Sequence, residues 1–271
     1  MRVTAAELDR WLADLEARHL SDLQFREVSR ALRALSATYV ERREKIREGA
    51  ALSGAGKRAA FAMFYGPLHF LLVSEIVRAL DLKTARPSAI VDLGCGTGVA
   101  GAAWASEQEP RASVHGIDIN PWALGEAEHT WRAFALSGRA RRGDFVATPW
   151  PKGRAAVVAA FAVNELSDAS RAALLQRLLD PDSKDDGVRG KDPVPGGHGG
   201  AGGTAPVLII EPLARAAAPW WRAWRDGFER AGGRADEWRF RLALPPLVAK
   251  LDRAAGLDHR ELTARSLVIT G

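Results

Sequence analysis

The stretch IVDLGCGTGVAG, Ile90 to Gly101, constrains this chain more than any other. A short apolar run ends in the acid Asp92, and Gly94, Gly96 and Gly98 follow in alternate positions. The apolar run reads as a buried strand, and the glycines read as a turn with little side chain to keep a ligand from the backbone. A helix is expected from about Thr97. Strand, glycine-rich turn and helix together form the ligand-binding end of an α/β sheet.

The rest of the chain fits such a sheet. After SAIVDL come ASVHGID, a helix from Pro121, AAVVAAF, a helix around Ala169–Leu179, PVLIIE, and a helix over Ala214–Ala231. Apolar runs alternating with helical segments predict a doubly wound, mostly parallel Rossmann-like sheet with right-handed crossovers. The closing DHRELTARSLVITG reads as two closely spaced strands that supply an antiparallel edge strand. Residues 1–86 read as a helical extension or lid. Thr4 with Glu7 matches a capping box ahead of Leu8, Trp11, Leu12 and Leu15. Ser21 with Gln24 marks a second start ahead of Phe25, Val28, Leu32 and Leu35. ALSGAGKRA breaks the pattern, and Gly66-Pro67 opens a further helix. Residues 87–271 form the ligand-binding domain. Within it, 181–204 is a polar, glycine-rich insertion too poor in large apolar residues to order itself.

At 271 residues the chain has room for one such domain with its extension. No apolar run approaches the ~18 residues of a membrane span, and the N-terminus has no secretory h-region and too many acids for a transit peptide. A single cysteine, Cys95, excludes an intrachain disulfide and a Cys-rich metal cluster. The expectation is a soluble cytoplasmic protein of a reducing compartment, with no membrane and no metal cluster. The net charge of +5 fits a polyanionic partner and equally fits arginine-rich composition.

GTGVAG, Gly96 to Gly101, matches the dinucleotide fingerprint G-x-G-x-x-G. In that fingerprint a pyrophosphate lies on the helix N-terminus, where Asp92 would repel it. An acid suits a cationic ligand instead, and S-adenosylmethionine carries an ammonium and a sulfonium but no phosphate. Asp118, about 20 residues on in VHGIDIN, stands where an acid accepts both ribose hydroxyls. In RRGDF, Asp144 is placed for the adenine amino group and Phe145 for covering the ring. The candidate cofactor-binding set is Asp92, Gly94, Cys95, Gly96, Thr97, Gly98, Asp118, Ile119, Asp144, Phe145 and Phe161, with Cys95 as a small residue that fits the turn.

VDLGCGTG, GIDIN and GDF resemble, in order and spacing, the motifs of class I S-adenosylmethionine-dependent methyltransferases. The resemblance runs from about Ala89 to the end and implies that family's fold, cofactor and antiparallel strand. Later segments are similar to the methyltransferase-like proteins associated with the mitochondrial small ribosomal subunit and to their bacterial relatives. Asn164, Glu165 and Leu166 match that family's motif after the fourth strand, Glu211 and Pro212 its motif after the fifth, and Trp238 and Phe240 its aromatic stretch. The family's cysteine-rich segment is absent, and Arg239 stands where a Cys-His pair is expected, so no iron–sulfur cluster is carried over. The resemblance implies RNA, or the small ribosomal subunit, as partner. A small-molecule acceptor and a non-catalytic ribosome-assembly factor are the other readings.

On the acceptor side, Asn164 and Glu165 are the candidate catalytic residues: Asn164 to orient an acceptor by hydrogen bonds, Glu165 to take a proton or hold a cation. A helix-capping part fits Asn164 equally well. Tyr65 and His69 lie ahead of the first strand and either close over the cofactor or pack helix on sheet. Trp220, Trp221, Trp224 and Trp238 alternate with arginines, which suits RNA stacking, although the helical spacing of the first three suits core packing better.

Overall fold

The computed structural model describes residues 3–41, 52–151, 154–179, 206–213 and 219–270. The glycine-rich insertion 181–204 lies outside them.

Seven strands form one sheet in the order β3-β2-β1-β4-β5-β7-β6. β1 (Ala89–Leu93), β2 (Ser113–Asp118), β3 (Gly138–Arg142), β4 (Ala155–Ala160) and β5 (Val207–Glu211) run parallel. β7 (Leu262–Ile269) is antiparallel to β5 and also to β6 (Arg234–Phe240), the outermost strand at that end. β1, fully buried between β2 and β4, is continuously apolar up to Asp92, as a central parallel strand requires.

One face of the sheet is covered by α1 (Ala5–His19), α2 (Phe25–Glu41), α3 (Ala55–Ala60), α4 (Gly66–Ala79), α5 (Val99–Ser106), α6 (Pro121–Ala133) and α9 (Pro246–Ala255). Ile90, Val114, Ala156, Leu208 and Ile210 point into that side, and Trp11, Leu32, Met63 and Val73 of the N-terminal helices share the same continuous core. The other face meets α7 (Asp168–Leu179) and α8 (Trp221–Arg230), which press Leu174, Leu178, Trp224 and Phe228 onto Val91, Ala159 and Ile209.

The expected capping box of α1 is present, with Thr4 accepting from Glu7 N and the Glu7 side chain accepting from Thr4 N. The helix docks through Trp11, whose ring lies 5.5 Å from Phe70 and 5.1 Å from Phe134. Arg18 grips Glu126 of α6 with two bonds of 3.0 Å, and His19 approaches it at 3.3 Å. Burial pushes the Glu126 carboxyl up, but the His19 and Arg18 contacts overcome it and hold it at about 2. The pair therefore stabilises the fold above the unfolded carboxylate's value near 4.5, and that contribution fades as pH falls from there towards 2. Glu126→Gln should cost about 2 kcal/mol at neutral pH, a value discounted for the solvent at Arg18. Urea unfolding should show that difference at pH 7 and little of it at pH 2.5.

Four local expectations are corrected. α2 starts at Phe25, where Glu27 accepts from Gln24 N at 2.7 Å, while Ser21 donates back to the Arg18 carbonyl at the end of α1. Gly66-Pro67 does not open a helix. It lies inside a helical run of 25 residues, Ala55–Ala79, that widens to a π-helix over Phe61–Tyr65. Gly66 N reaches back five residues to the Phe61 carbonyl, which makes room just before a proline that has no N–H and would crowd a regular helix. The run is long and apolar enough to cross a membrane by composition, yet 72% of its most apolar window is buried inside the protein. The helix expected over 214–231 is ordered as α8 from Trp221; 214–218 lie outside the described residues. The terminal segment holds one strand, β7, whose partner β6 is RADEWRF, with the unexpected helix α9 between them. β3, GRARR, is the strand that the count of four ahead of Asn164 requires, and as an edge open to water it carries no apolar run.

Candidate active site

β1, β2 and β4 deliver their C-terminal ends to one cleft. Gly94 N and Cys95 N both donate to the Ile117 carbonyl, which fastens the glycine loop across the end of β2. Gly94, Gly96 and Gly98 all have positive φ, at 64°, 51° and 75°. A methyl group on Gly94 would lie 2.6 Å from Ala162 Cβ, and on Gly98 2.8 Å from Ala127 Cβ, whereas on Gly96 it would meet nothing within 4 Å. The middle glycine alone looks into open space, where a ligand can lie against its backbone.

Asp118 faces that space from the end of β2. Its carboxylate accepts from Gly96 N at 2.9 Å and from Asn120 N at 2.8 Å, so it shapes the loop as well as lining the cleft. Beside it Ile119 is 63% exposed, the one large hydrophobic among the described residues left open to water. Asn120 then caps α6, accepting from Trp122 N and Ala123 N. Asp144 is exposed and accepts from Val146 N at 2.9 Å. Phe145 sits beneath Gly94 in the core of the α7–α8 side, 9% exposed, and not over the open cleft.

Asp92 lies under the loop at 1% exposure, accepting from Gly101 N at 2.7 Å. Burial pushes its carboxyl up to about 7 against that N–H, with Asp118 adding in the same direction. Cys95 is buried, its sulfur packs against Gly116, and burial raises its thiol well above the ordinary value, so it is a space-filling residue. Thr97 is 4% exposed, and its hydroxyl has no hydrogen-bond partner among the described residues.

After β4 the chain turns sharply. Phe161 holds φ of 60°, a left-handed conformation that costs a bulky residue about 1–3 kcal/mol and marks a turn held by its surroundings. Its ring stacks on His69 of α4 at 4.0 Å. Burial lowers the His69 imidazole to about 4, so it is neutral at physiological pH. Tyr65 lies 5.9 Å from His69. These contacts place Tyr65 and His69 in the helix-to-sheet packing at the cleft's rim.

Asn164 and Glu165 end the 3-10 turn Val163–Glu165 and do different jobs. The Asn164 carboxamide donates to Glu211 and accepts from Trp220 Nε1 at 3.0 Å, so both ends are engaged in bracing β4, β5 and α8. Glu211 also accepts from Val163 N and Asn164 N. The two motifs after the fourth and fifth strands are thus halves of one hydrogen-bonded bracket. Ser167, not Asn164, caps α7, accepting from Ser170 N. Burial pushes the Glu211 carboxyl up to about 8, opposed by the Asn164 and Val163 N–H groups and reinforced by Glu165.

Glu165 points the other way. It keeps contact with solvent though protein atoms surround it, and desolvation together with the Asp118 carboxylate raises it to about 7. Asp92, Asp118 and Glu165 therefore repel one another around one cleft, and no ion pair among the described residues neutralises them.

The tryptophan–arginine stretch is packing. Trp224 is 2% exposed, Trp220 and Trp221 stack edge-on beside it, and Trp238 lies on Phe240 at 5.7 Å with Nε1 donating to Ser266. Sequence reasoning missed Glu211 as the partner of Asn164 and the Phe161–His69 stack; the family-like EP and NEL motifs were the only signal for the first.

A model of the methyltransferase domain matches residues 90–181. No curated protein matches the sequence. Among solved structures, the mitomycin 7-O-methyltransferase MmcR is similar with a TM-score of 0.50 at 13% identity, over 96% of this chain and 72% of that one. The methyltransferase domain of bacterial CtHen1-C aligns over 75% of this chain and 99% of its own, at 12% identity and a TM-score of 0.47. The magnesium protoporphyrin IX methyltransferase of Synechocystis PCC 6803, solved with bound S-adenosylmethionine, aligns over 74% and 78% at 14% identity and a TM-score of 0.43. The match over residues 90–181 assigns that part of the chain to the methyltransferase-domain model, and the sheet around it has the Rossmann-like fold of such domains.

Proposed function

We propose that this chain binds S-adenosylmethionine in the cleft over Gly96 and methylates RNA, the RNA of the small ribosomal subunit being the favoured acceptor. The observation that carries the cofactor half is the pair of carboxylates, Asp118 and Glu165, left without an ion pair among the described residues beside an open backbone surface, with Asp92 buried beneath it. A ligand with positive charge completes that set, whereas a pyrophosphate is repelled by it. The exposed Ile119 supplies an apolar cover beside the same surface.

The cofactor supplies an electrophilic methyl group on a sulfonium. Asp118 is assigned to the ribose hydroxyls, Ile119 to one face of the adenine, and Asp144 to its amino group. Glu165, at the rim, is assigned to the acceptor: ionised above about 7, it accepts the acceptor's proton or holds a cationic acceptor in line. Asn164 acts through position, because its bracket to Glu211 and Trp220 fixes the turn that presents Glu165. The RNA half is supported by the net charge of +5 and by the family resemblance of the Asn164–Leu166 and Glu211–Pro212 motifs.

Calorimetric titration of S-adenosylmethionine and S-adenosylhomocysteine tests the reading. Micromolar binding of both is expected, with S-adenosylmethionine gaining affinity from pH 6 to pH 8 as Glu165 ionises, and with that gain reduced in Glu165→Gln. Absence of binding to the folded protein at both pH values ends the proposal.

A further inference from the structure

β3 carries charge that neither the fold nor the cofactor cleft uses. Arg139, Arg141 and Arg142 are all exposed, and none has an ion pair among the described residues. The strand lies at the end of the sheet, bonded only to β2, with its outer edge open. Ala140 packs into the core on the α6 side, so Arg139 and Arg141 project from the opposite face. On that face the chain crosses from β3 to β4 through 143–154 with no helix among the described residues, while α7 and α8 lie over the other half of the sheet. His115 pairs in register with Arg139, is half-buried, and has its imidazole lowered by burial and by the Arg139 charge.

The strip also has a direction. β3 rises towards the cleft, and its last residue, Arg142, stands in register with Asp118, the acid of the cofactor site. Asp144, two residues on, is the nearest acid in sequence and is turned to Val146 N. Arginines two apart on one face of a strand stand roughly 7 Å apart. Their guanidinium forks suit successive phosphate groups bidentately.

We infer that the open outer edge of β3, with its exposed arginines, is a docking strip for the phosphate backbone of single-stranded RNA, leading the strand to the methyl-transfer cleft. Its delivery part rests on the methyltransferase reading; its binding part does not. Charge complementarity selects the occupant: Arg139 and Arg141 on one face and Arg142 on the other, none with an ion pair among the described residues, line an open edge and match a polyanion. A single strand is favoured because its flexible backbone can follow an edge whose guanidinium groups face two ways.

The test is fluorescence anisotropy with a labelled oligouridine of about 20 nucleotides. Three proteins are compared: wild type, the β3 triple variant Arg139→Gln, Arg141→Gln, Arg142→Gln, and a charge-matched control at the β6 end, Arg239→Gln, Arg241→Gln, Arg260→Gln. The control arginines are exposed and sit beside Glu261 and Asp258. The β3 variant should bind at least about 10-fold more weakly at low salt, with a slope of log K against log salt smaller by about 2, while the control changes less than about 2-fold. Equal weakening in both variants means bulk charge and overturns the strip, as does failure of the wild type to bind. Polyglutamate displacing the oligonucleotide at equal charge concentration overturns it in favour of an acidic protein partner. Near-UV circular dichroism of the β3 variant shows that it is folded. A wild type that binds RNA by this strip and not the cofactor would sink the methyltransferase reading and leave the strip standing.

Discussion

Asp118→Ala should weaken S-adenosylhomocysteine binding by about 100-fold or more, the largest functional effect expected of any single substitution here. Two losses combine. On the proposed assignment the ribose hydroxyls lose a charged acceptor, and hydrogen bonds to charged groups contribute about 1.5–3 kcal/mol each. The loop also loses its tie, because the same carboxylate accepts from Gly96 N and Asn120 N. Gly96 is the residue with open space above it, so freeing its N–H loosens the backbone surface the ligand lies on. Asp118→Asn keeps one acceptor oxygen and should lose about 10-fold. Calorimetry measures both, and near-UV circular dichroism shows the variants are folded. Unchanged affinity in Asp118→Ala would remove the cofactor from the cleft over Gly96.

The second large effect is on stability. Gly98→Val should lower the free energy of unfolding by about 3 kcal/mol or more, or prevent folding. Gly98 has φ of 75°, and its side-chain position is filled by Ala127 at 2.8 Å and Trp131 Nε1 at 2.8 Å. Trp131 of α6 is 1% exposed and donates to the Gly98 carbonyl at 2.9 Å. A side chain on Gly116 of β2 or on Gly138 of β3 would run into the same indole. One tryptophan therefore lies flat against three glycines, and none of its contacts can retreat into solvent. Gly96→Ala is the contrast: its φ of 51° costs about 1–2 kcal/mol, with no clash to add. Urea unfolding should show a large loss for the first and a small one for the second, while ligand binding suffers in both. A wild-type midpoint for Gly98→Val would mean that α6 does not pack on the loop through Trp131.

Several parts of the site were legible before any coordinates. The loop from Gly94 to Gly98, the strand end at Asp118 and the cap of α1 all follow from residues within a few positions of one another, where the periods of strand and helix and the demands of a tight turn act directly. β3 was legible only through the acid that follows it: a water-facing edge needs no apolar pattern, so GRARR looks like a loop until Asp144 marks the end of a strand. The pairing of β7 was misread because two short runs near each other in sequence suggested a hairpin, when β6 reaches the same edge across α9.

The sequence by itself determined the alternation of β1, β2, β4 and β5 with helices, the glycine turn and the acids near the ends of β1 and β2. Those are local properties, set by side-chain periodicity and backbone freedom. Only the tertiary structure decided which acids remain unpaired and what Asn164 does. Its partners lie 47 and 56 residues away, on β5 and at the start of α8. A carboxamide that could orient an acceptor, cap a helix or brace a turn has the same chemistry in all three parts. Which one it plays depends on the groups that burial brings within hydrogen-bond distance, and those are chosen by packing across the sheet.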